Sequence, residues 1–231
     1  MKQTFNISLS EYSGEVCLVL YHSPCNLRCN WCFNKRNLTH TILDYETAIR
    51  NIKENREFIT SVCLTGGEPL LSNDFYRICE YVKDDGLRLK VNTSGTIPPK
   101  ESFSADYINI SFKGGYNDYL RYGYAKTLKD LENSLDIYTS KEFSDKVEWS
   151  IVYHRLIIDL NTTYELMMSL DCKPNYFTLS QLQVGDCYDS FINDFTPPTR
   201  EELMMKARMF KEMPSEQLLI ETKEYGREII I

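Results

Sequence analysis

No apolar run in this 231-residue chain approaches the length of a membrane helix, and Met1–Ser10 lacks a basic stretch followed by an apolar one. Neither a membrane span nor an export leader is therefore expected, and a cytoplasmic protein is. There is no basic run or repeated Lys/Arg stripe, and the formal net charge is −7. General nucleic-acid binding, which needs phosphate neutralisation, is thus disfavoured. No linker composition or internal repeat interrupts the chain, so one domain over 1–231 is expected. Histidine is scarce, at three residues, and no second Cys-x-x-Cys exists. The eight cysteines do not read as a disulfide framework, because the chain is too long for a stapled mini-domain.

What is present is concentrated in Cys25-Asn26-Leu27-Arg28-Cys29-Asn30-Trp31-Cys32, directly after the apolar run Val16–Tyr21. That run has the length of a buried strand, so the cysteines fall in the loop outside a strand's carboxyl end, where α/β proteins keep their chemistry. Three thiolates are one short of a closed zinc site or an ordinary four-cysteine cluster. Two readings stay open on the residues alone. One is a zinc knuckle borrowing His22 or His40; the other is a [4Fe–4S] cluster with one iron left for another ligand. Cys17, Cys63, Cys79, Cys172 and Cys187 are expected to be buried thiols packed as small hydrophobes.

The remaining pattern alternates strand and helix. Phe5–Leu9 reads as an edge strand, and Val16–Tyr21, Ser61–Leu64, Leu87–Val91, Tyr107–Phe112, Lys146–Tyr153 and Tyr176–Leu182 as core strands. Between them, Asp44 caps a first helix, Asn73–Asp85 forms a second ahead of Gly86, and Lys126–Tyr138 and Thr162–Leu170 follow. Leu128, Leu131, Leu135 and Tyr138 are expected on one inner face, and Gly114–Gly123 as a Tyr- and Gly-rich loop. Thr199 with Glu202 reads as a capping box opening the helix Arg200–Met213, before two strands at Gln217–Glu221 and Arg227–Ile231. Six strands joined by right-handed crossovers predict an α/β fold, a partial (β/α)6 barrel of parallel strands open on one side. It should span about 14–183, with a C-terminal helix and strand extension over about 184–231.

A second motif, Thr65-Gly66-Gly67-Glu68-Pro69, follows the second core strand. Together, Cys-x3-Cys-x2-Cys with an aromatic before the last cysteine, and this Gly-Gly-Glu turn, resemble the signature of the radical S-adenosylmethionine (SAM) enzymes. The resemblance implies that Cys25, Cys29 and Cys32 hold three irons of a [4Fe–4S] cluster and that SAM completes the fourth. It assigns Trp31 to the adenine, although the ring could equally shield the cluster, and Asn34 to a cofactor contact. Gly66, Gly67 and Pro69 would shape the turn for close approach, and Glu68 would face the methionyl ammonium. Asn92, Thr93 and Ser94, at the next strand's end, could bind SAM or merely turn the chain through Gly95. His154 and Gln181, ending the fifth and sixth strands, are further cofactor candidates. The stretch Tyr116–Tyr124 would line a substrate groove or pack on the barrel's open edge.

Ser111-Phe112-Lys113 is similar to the Asp-x-Lys of proteins that activate glycyl radical enzymes. Ser111 replaces the aspartate, which weakens any cation site there, and Lys113 is left near SAM and substrate, or else as a solvated lysine. The chain's opening and its ending also resemble those activators, most of all the compact type serving anaerobic ribonucleotide reductase. That resemblance implies a glycyl radical enzyme as partner and a one-electron donor such as flavodoxin or ferredoxin. Two alternatives are a small-molecule enzyme resembling 7-carboxy-7-deazaguanine synthase, with an enclosed polar pocket, and a non-enzymatic iron–sulfur or zinc-binding regulatory module.

Overall fold

The computed structural model describes residues 5–32, 42–140, 143–144, 146–184, 187 and 189–230. Among these, nine strands form one sheet in sequence order: β1 (Phe5–Ser8), β2 (Cys17–His22), β3 (Ser61–Gly66), β4 (Arg88–Thr93), β5 (Tyr107–Phe112), β6 (Val147–Tyr153), β7 (Tyr176–Gln181), β8 (Gln217–Thr222) and β9 (Gly226–Ile229). Strands β2 to β8 run parallel, and β1 and β9 pair antiparallel at the two edges. The open α/β sheet is the expected class. It holds one parallel strand more than the sequence count, because Gln217–Thr222, placed in the extension, continues the βα alternation beside β7.

Helices α1 (Tyr45–Asn55), α2 (Phe75–Asp84), α3 (Tyr116–Arg121), α4 (Leu128–Thr139), α5 (Leu160–Ser169) and α6 (Arg200–Ala207) form the crossovers. Asp44 caps α1 as expected, its Oδ1 accepting the Thr47 N–H at 2.8 Å. Gly86 ends α2 at φ +72°. Within Gly114–Gly123 the structure has α3 in place of a loop. Asp118 Oδ2 accepts the Gly115 N–H at 3.1 Å, so the carboxylate three residues into the turn supplies the cap. Leu128 is 40% exposed at the first position of α4 and does not join Leu131, Leu135 and Tyr138 inside. The last helix is shorter than expected, with α6 tightening into a 3-10 turn over Arg208–Phe210. Thr199 caps it, but Glu202 closes no reciprocal box; its carboxylate lies 3.4 Å from Arg155.

The strands' period of two divides the molecule. One set of side chains, including Leu18, Leu64, Val91, Ile110, Trp149, Leu179 and Ile220, packs beneath the helices in the main core. Trp149 is fully buried, with its Nε1 donating to Thr139 Oγ1 at 3.1 Å. The opposite set includes Lys90, Asn92, Asn109, Ser111, Ser150 and Ser180, all lining one cavity of about 610 Å³. The sheet is therefore curved, with a polar concave face. Arg227 on β9 spans it to reach Glu148 on β6, and the rings of Tyr107 and Tyr176 stack 6.1 Å apart across it.

Candidate cluster and cofactor site

The three-cysteine loop leaves β2 at its carboxyl end and is clamped on both sides. At its stem, Gly67 N–H donates to the His22 carbonyl at 2.5 Å and Glu68 N–H to the Pro24 carbonyl at 2.9 Å. Both glycines are required here. A Cβ on Gly66 (φ +115°) would lie 2.5 Å from the His22 carbonyl oxygen, and one on Gly67 2.5 Å from that of Ser23. The close approach their missing side chains allow is thus between the Gly-Gly-Glu turn and the cysteine loop itself.

On the far side the loop leans on α3. Arg28 N–H donates to the Tyr122 carbonyl at 2.8 Å, and the Trp31 ring meets Tyr122 edge-on at 5.0 Å. Trp31 is 5% exposed. Asn26 Nδ2 donates to Thr96 Oγ1 at 2.9 Å, tying the loop to the chain after β4. Tyr122, Asn26 and Thr96 were not singled out by the sequence. Tyr122 carried a signal only through its Tyr-rich neighbourhood, and the other two carried none.

Cys29 is buried, while Cys25 and Cys32 are partly exposed. Burial pushes the Cys29 thiol up to about 12 and the Cys25 thiol up to about 11, and the Lys113 ammonium opposes both shifts. Three thiols in one loop are a donor set for a strongly positive centre, which would bind the thiolates and displace their protons. Among the described residues, no three or more His, Cys, Asp or Glu side chains are placed to hold a single metal ion. His22 is committed elsewhere. Its Nδ1 accepts the Leu43 N–H at 3.2 Å, which puts the proton on Nε2 and leaves neither nitrogen as a metal donor. His40 and Asn34 lie outside the described residues. The donor set fits an iron–sulfur cluster better than a zinc ion borrowing His22.

Glu68 is fully buried and caps the short 3-10 turn Pro69–Leu71, in which Pro69 takes the first position. Its Oε1 accepts from Thr93 Oγ1 at 2.8 Å, and its Oε2 from Ser94 N–H at 2.9 Å and Ser94 Oγ at 2.7 Å. Burial raises its pKa above the ordinary carboxylate value, although these hydrogen bonds pull the other way. Glu68, Thr93 and Ser94 are therefore spent on one another, bracing the end of β3 against the end of β4. Asn92 faces the lumen instead, donating to Glu11 Oε1 at 2.5 Å. Lys113 Nζ donates to Ser111 Oγ at 2.7 Å, and its backbone N–H to the Tyr119 hydroxyl at 3.2 Å.

His154 and Gln181 stand apart from this group. His154 accepts the Leu156 N–H on Nδ1 at 3.2 Å, contacts the Thr196 carbonyl through Nε2 at 3.1 Å, and stacks on Phe195. Gln181 Nε2 donates to the Pro198 carbonyl at 2.6 Å, and its Oε1 accepts the Lys223 N–H at 3.0 Å. Both side chains hold the segment after β7, and Gln181 also holds the segment after β8. Gln181 also lines the lumen cavity, and His154 does not.

Fold and site together define an open α/β barrel protein with a three-thiol loop at the carboxyl end of its first parallel strand. The Radical SAM superfamily model matches residues 21–165. The chain belongs to the radical SAM superfamily, whose members use a [4Fe–4S] cluster and S-adenosylmethionine. Among curated relatives, it is 27% identical over 160 residues to 7-carboxy-7-deazaguanine synthase of Clostridium acetobutylicum, covering 58% of this chain and 71% of that one. It is 22% identical over 227 residues to a Methanocaldococcus jannaschii protein provisionally named a glycyl-radical enzyme activating enzyme, covering 89% of each. In fold it is similar to TYW1 with a lysine-pyruvate adduct bound, at a TM-score of 0.66 and 17% identity over 94% of this chain and 80% of that one. No helix among the described residues is long and apolar enough to cross a membrane.

Proposed function

We propose that this radical SAM enzyme is an activase that installs a glycyl radical on a partner enzyme in the cytoplasm, anaerobic ribonucleotide reductase being the type of partner expected. A [4Fe–4S] cluster with SAM would supply the radical chemistry, and a protein such as flavodoxin or ferredoxin would supply the electron. Cys25, Cys29 and Cys32 would hold the cluster, with Trp31 and Tyr122 excluding water from one side of the loop. Lys113 places a positive charge beside the thiols. Glu68 acts by fixing Thr93, Ser94 and the turn above them.

The observation that carries the activase reading is a surface groove that adjoins the lumen. A cavity of about 680 Å³ at the mouth of β7 and β8 is lined by Pro197–Glu201 and Thr222–Tyr225. It shares Gln181, Gln183, Thr222 and Lys223 with the lumen cavity. A backbone loop of another protein needs a wide surface groove of this kind beside the lumen. The near full-length match to a protein named as an activating enzyme supports the same reading.

The second reading is a small-molecule enzyme similar to 7-carboxy-7-deazaguanine synthase. It is favoured by the polar lining of the 610 Å³ lumen, a volume typical of small-ligand pockets. Anaerobic reconstitution with iron and sulfide, reduction and addition of SAM should yield 5′-deoxyadenosine. Adding anaerobic ribonucleotide reductase should then give an organic radical by electron spin resonance. If 5′-deoxyadenosine forms and no protein radical appears, while 7-carboxy-7-deazaguanine is produced from a supplied small-molecule precursor, the small-molecule reading replaces the activase.

A further inference from the structure

Glu68 grips the cysteine loop on both sides of Cys25. Its backbone N–H donates to the Pro24 carbonyl at 2.9 Å. Its carboxylate reaches Asn26 through two hydroxyls. Ser94 Oγ donates to Glu68 Oε2 at 2.7 Å, Thr96 Oγ1 lies 2.7 Å from Ser94 Oγ, and Asn26 Nδ2 donates to Thr96 Oγ1 at 2.9 Å. Glu68, Ser94 and Thr96 are all buried, so bulk water is shut out of the hydroxyl links.

The protons along this chain have one order. A carboxylate only accepts, so the single hydroxyl proton of Ser94 goes to Glu68. Thr96 then gives its own proton to Ser94, which leaves its oxygen to accept. The group of Asn26 that matches it is the NH2 and not the carbonyl oxygen. Every bond therefore points toward the charge of Glu68, and hydrogen bonds aligned in this way polarise and strengthen one another.

The consequence falls on Cys25. The peptide that follows Asn26 carries the Leu27 N–H, which donates to Cys25 Sγ at 3.4 Å. Anchoring the Asn26 side chain holds that peptide from one side, and the Arg28 N–H, bonded to the Tyr122 carbonyl at 2.8 Å, holds the turn from the other. An N–H aimed at a ligating sulfur stabilises the more negative, reduced state of an iron–sulfur cluster and raises its potential. We propose that Asn26 and Thr96 are positioning residues for the cluster: they carry the hold of Glu68 into the turn that aims the Leu27 N–H at Cys25 Sγ, and so keep the cluster's reduction potential up. This rests on Cys25 ligating the cluster.

The test is a redox titration of the reconstituted protein without SAM, with the reduced cluster followed by electron spin resonance. Thr96→Val keeps the shape and removes the hydroxyl, and Asn26→Leu keeps the size and adds no charge. At the wild-type midpoint, each should lower the ratio of reduced to oxidised cluster by about threefold, the worth of one weakened hydrogen bond. Thr96→Ser keeps the hydroxyl and should titrate like the wild type. The double variant Asn26→Leu/Thr96→Val should fall no further than either single one, because a chain breaks only once. A wild-type potential in either single variant overturns the proposal, as does an equal fall in Thr96→Ser or a sum of the two falls in the double variant. If Thr96→Val does not fold, Asn26→Leu and Thr96→Ser carry the comparison. Cys25→Ala separates the two levels: wild-type iron content and spectrum in that variant would remove Cys25 as a ligand, whatever the potentials of the others.

Discussion

Glu68 and Ser94 are joined twice: one carboxylate oxygen takes both the backbone N–H and the hydroxyl of Ser94, at 2.9 and 2.7 Å. With Thr93 and the Leu70 N–H on the other oxygen, four donors converge on a group with no exposure to water. Glu68→Gln replaces one acceptor oxygen with an NH2 that faces donors. Losing one or two charge-assisted bonds in a buried site should cost about 2–4 kcal/mol. The urea midpoint of the variant checks this. An unchanged midpoint would mean that the bonds do not brace β3 against β4.

The two glycines of the turn should behave unlike the glycine that ends α2. In Gly66→Ala and Gly67→Ala the new methyl group meets backbone atoms of His22, Ser23 and Pro24, which cannot move without moving the cysteine loop. A cost of about 2–5 kcal/mol is expected from clash, with left-handed strain added at Gly66. Gly86→Ala has the same kind of φ, +72°, but nothing within 4 Å of the new atom, so about 1 kcal/mol should suffice. Iron bound per chain after reconstitution should fall in the first two variants and hold in the third. Equal iron loading in all three would refute the link between turn and loop.

The sequence carries most of this architecture because strand alternation and helix caps are local signals. Asp44, Gly86 and the Cys25–Cys32 loop lie where their residue types require. The Gly-Gly-Glu turn was legible as a motif, but not as a brace, because the partners of Glu68 are 25 and 26 residues away. For the same reason His154 and Gln181 read as open polar groups, when each is already bonded to chain about 42 and 17 residues on. Residues 116–121 hid a helix because their cap depends on Asp118 turning back to Gly115, in a stretch too short to show a period. Glu11 had no signal at all: an acidic residue before a Ser-Gly turn normally faces water, and only the curvature of the sheet turns it inward.

His154 should make stability depend on pH. Burial lowers its pKa below the ordinary histidine value of about 6.5, so the unfolded chain takes up the proton first as pH falls. Its contribution is present above that value and is lost as pH drops toward the folded pKa, since protonating Nδ1 breaks the bond from the Leu156 N–H. Urea midpoints measured from pH 8 downward should show wild-type stability declining below about 6.5 more steeply than in His154→Gln. Parallel curves would mean that the imidazole takes up its proton as readily in the folded protein as in the unfolded chain.

Two arginines near the chain's end make a contrast of burial. Arg200 binds Glu228 through Nε and Nη2 at 2.7–3.1 Å on the outer surface, and solvent screens the pair. Arg227 has a side chain 31% exposed, but its partner Glu148 has none, and Glu148 also accepts from Tyr107 and Thr178. Arg227→Met leaves that buried carboxylate without its cation. Because the arginine itself is partly wet, the low end of the range for a broken buried pair applies, about 2–3 kcal/mol. Arg200→Met should shift the urea midpoint little, and the difference between the two variants should persist in high salt, which screens only the exposed pair. Equal shifts in both variants would mean that Glu148 finds water or another partner once Arg227 is gone, and that the pair does not hold β9 to the sheet's concave face.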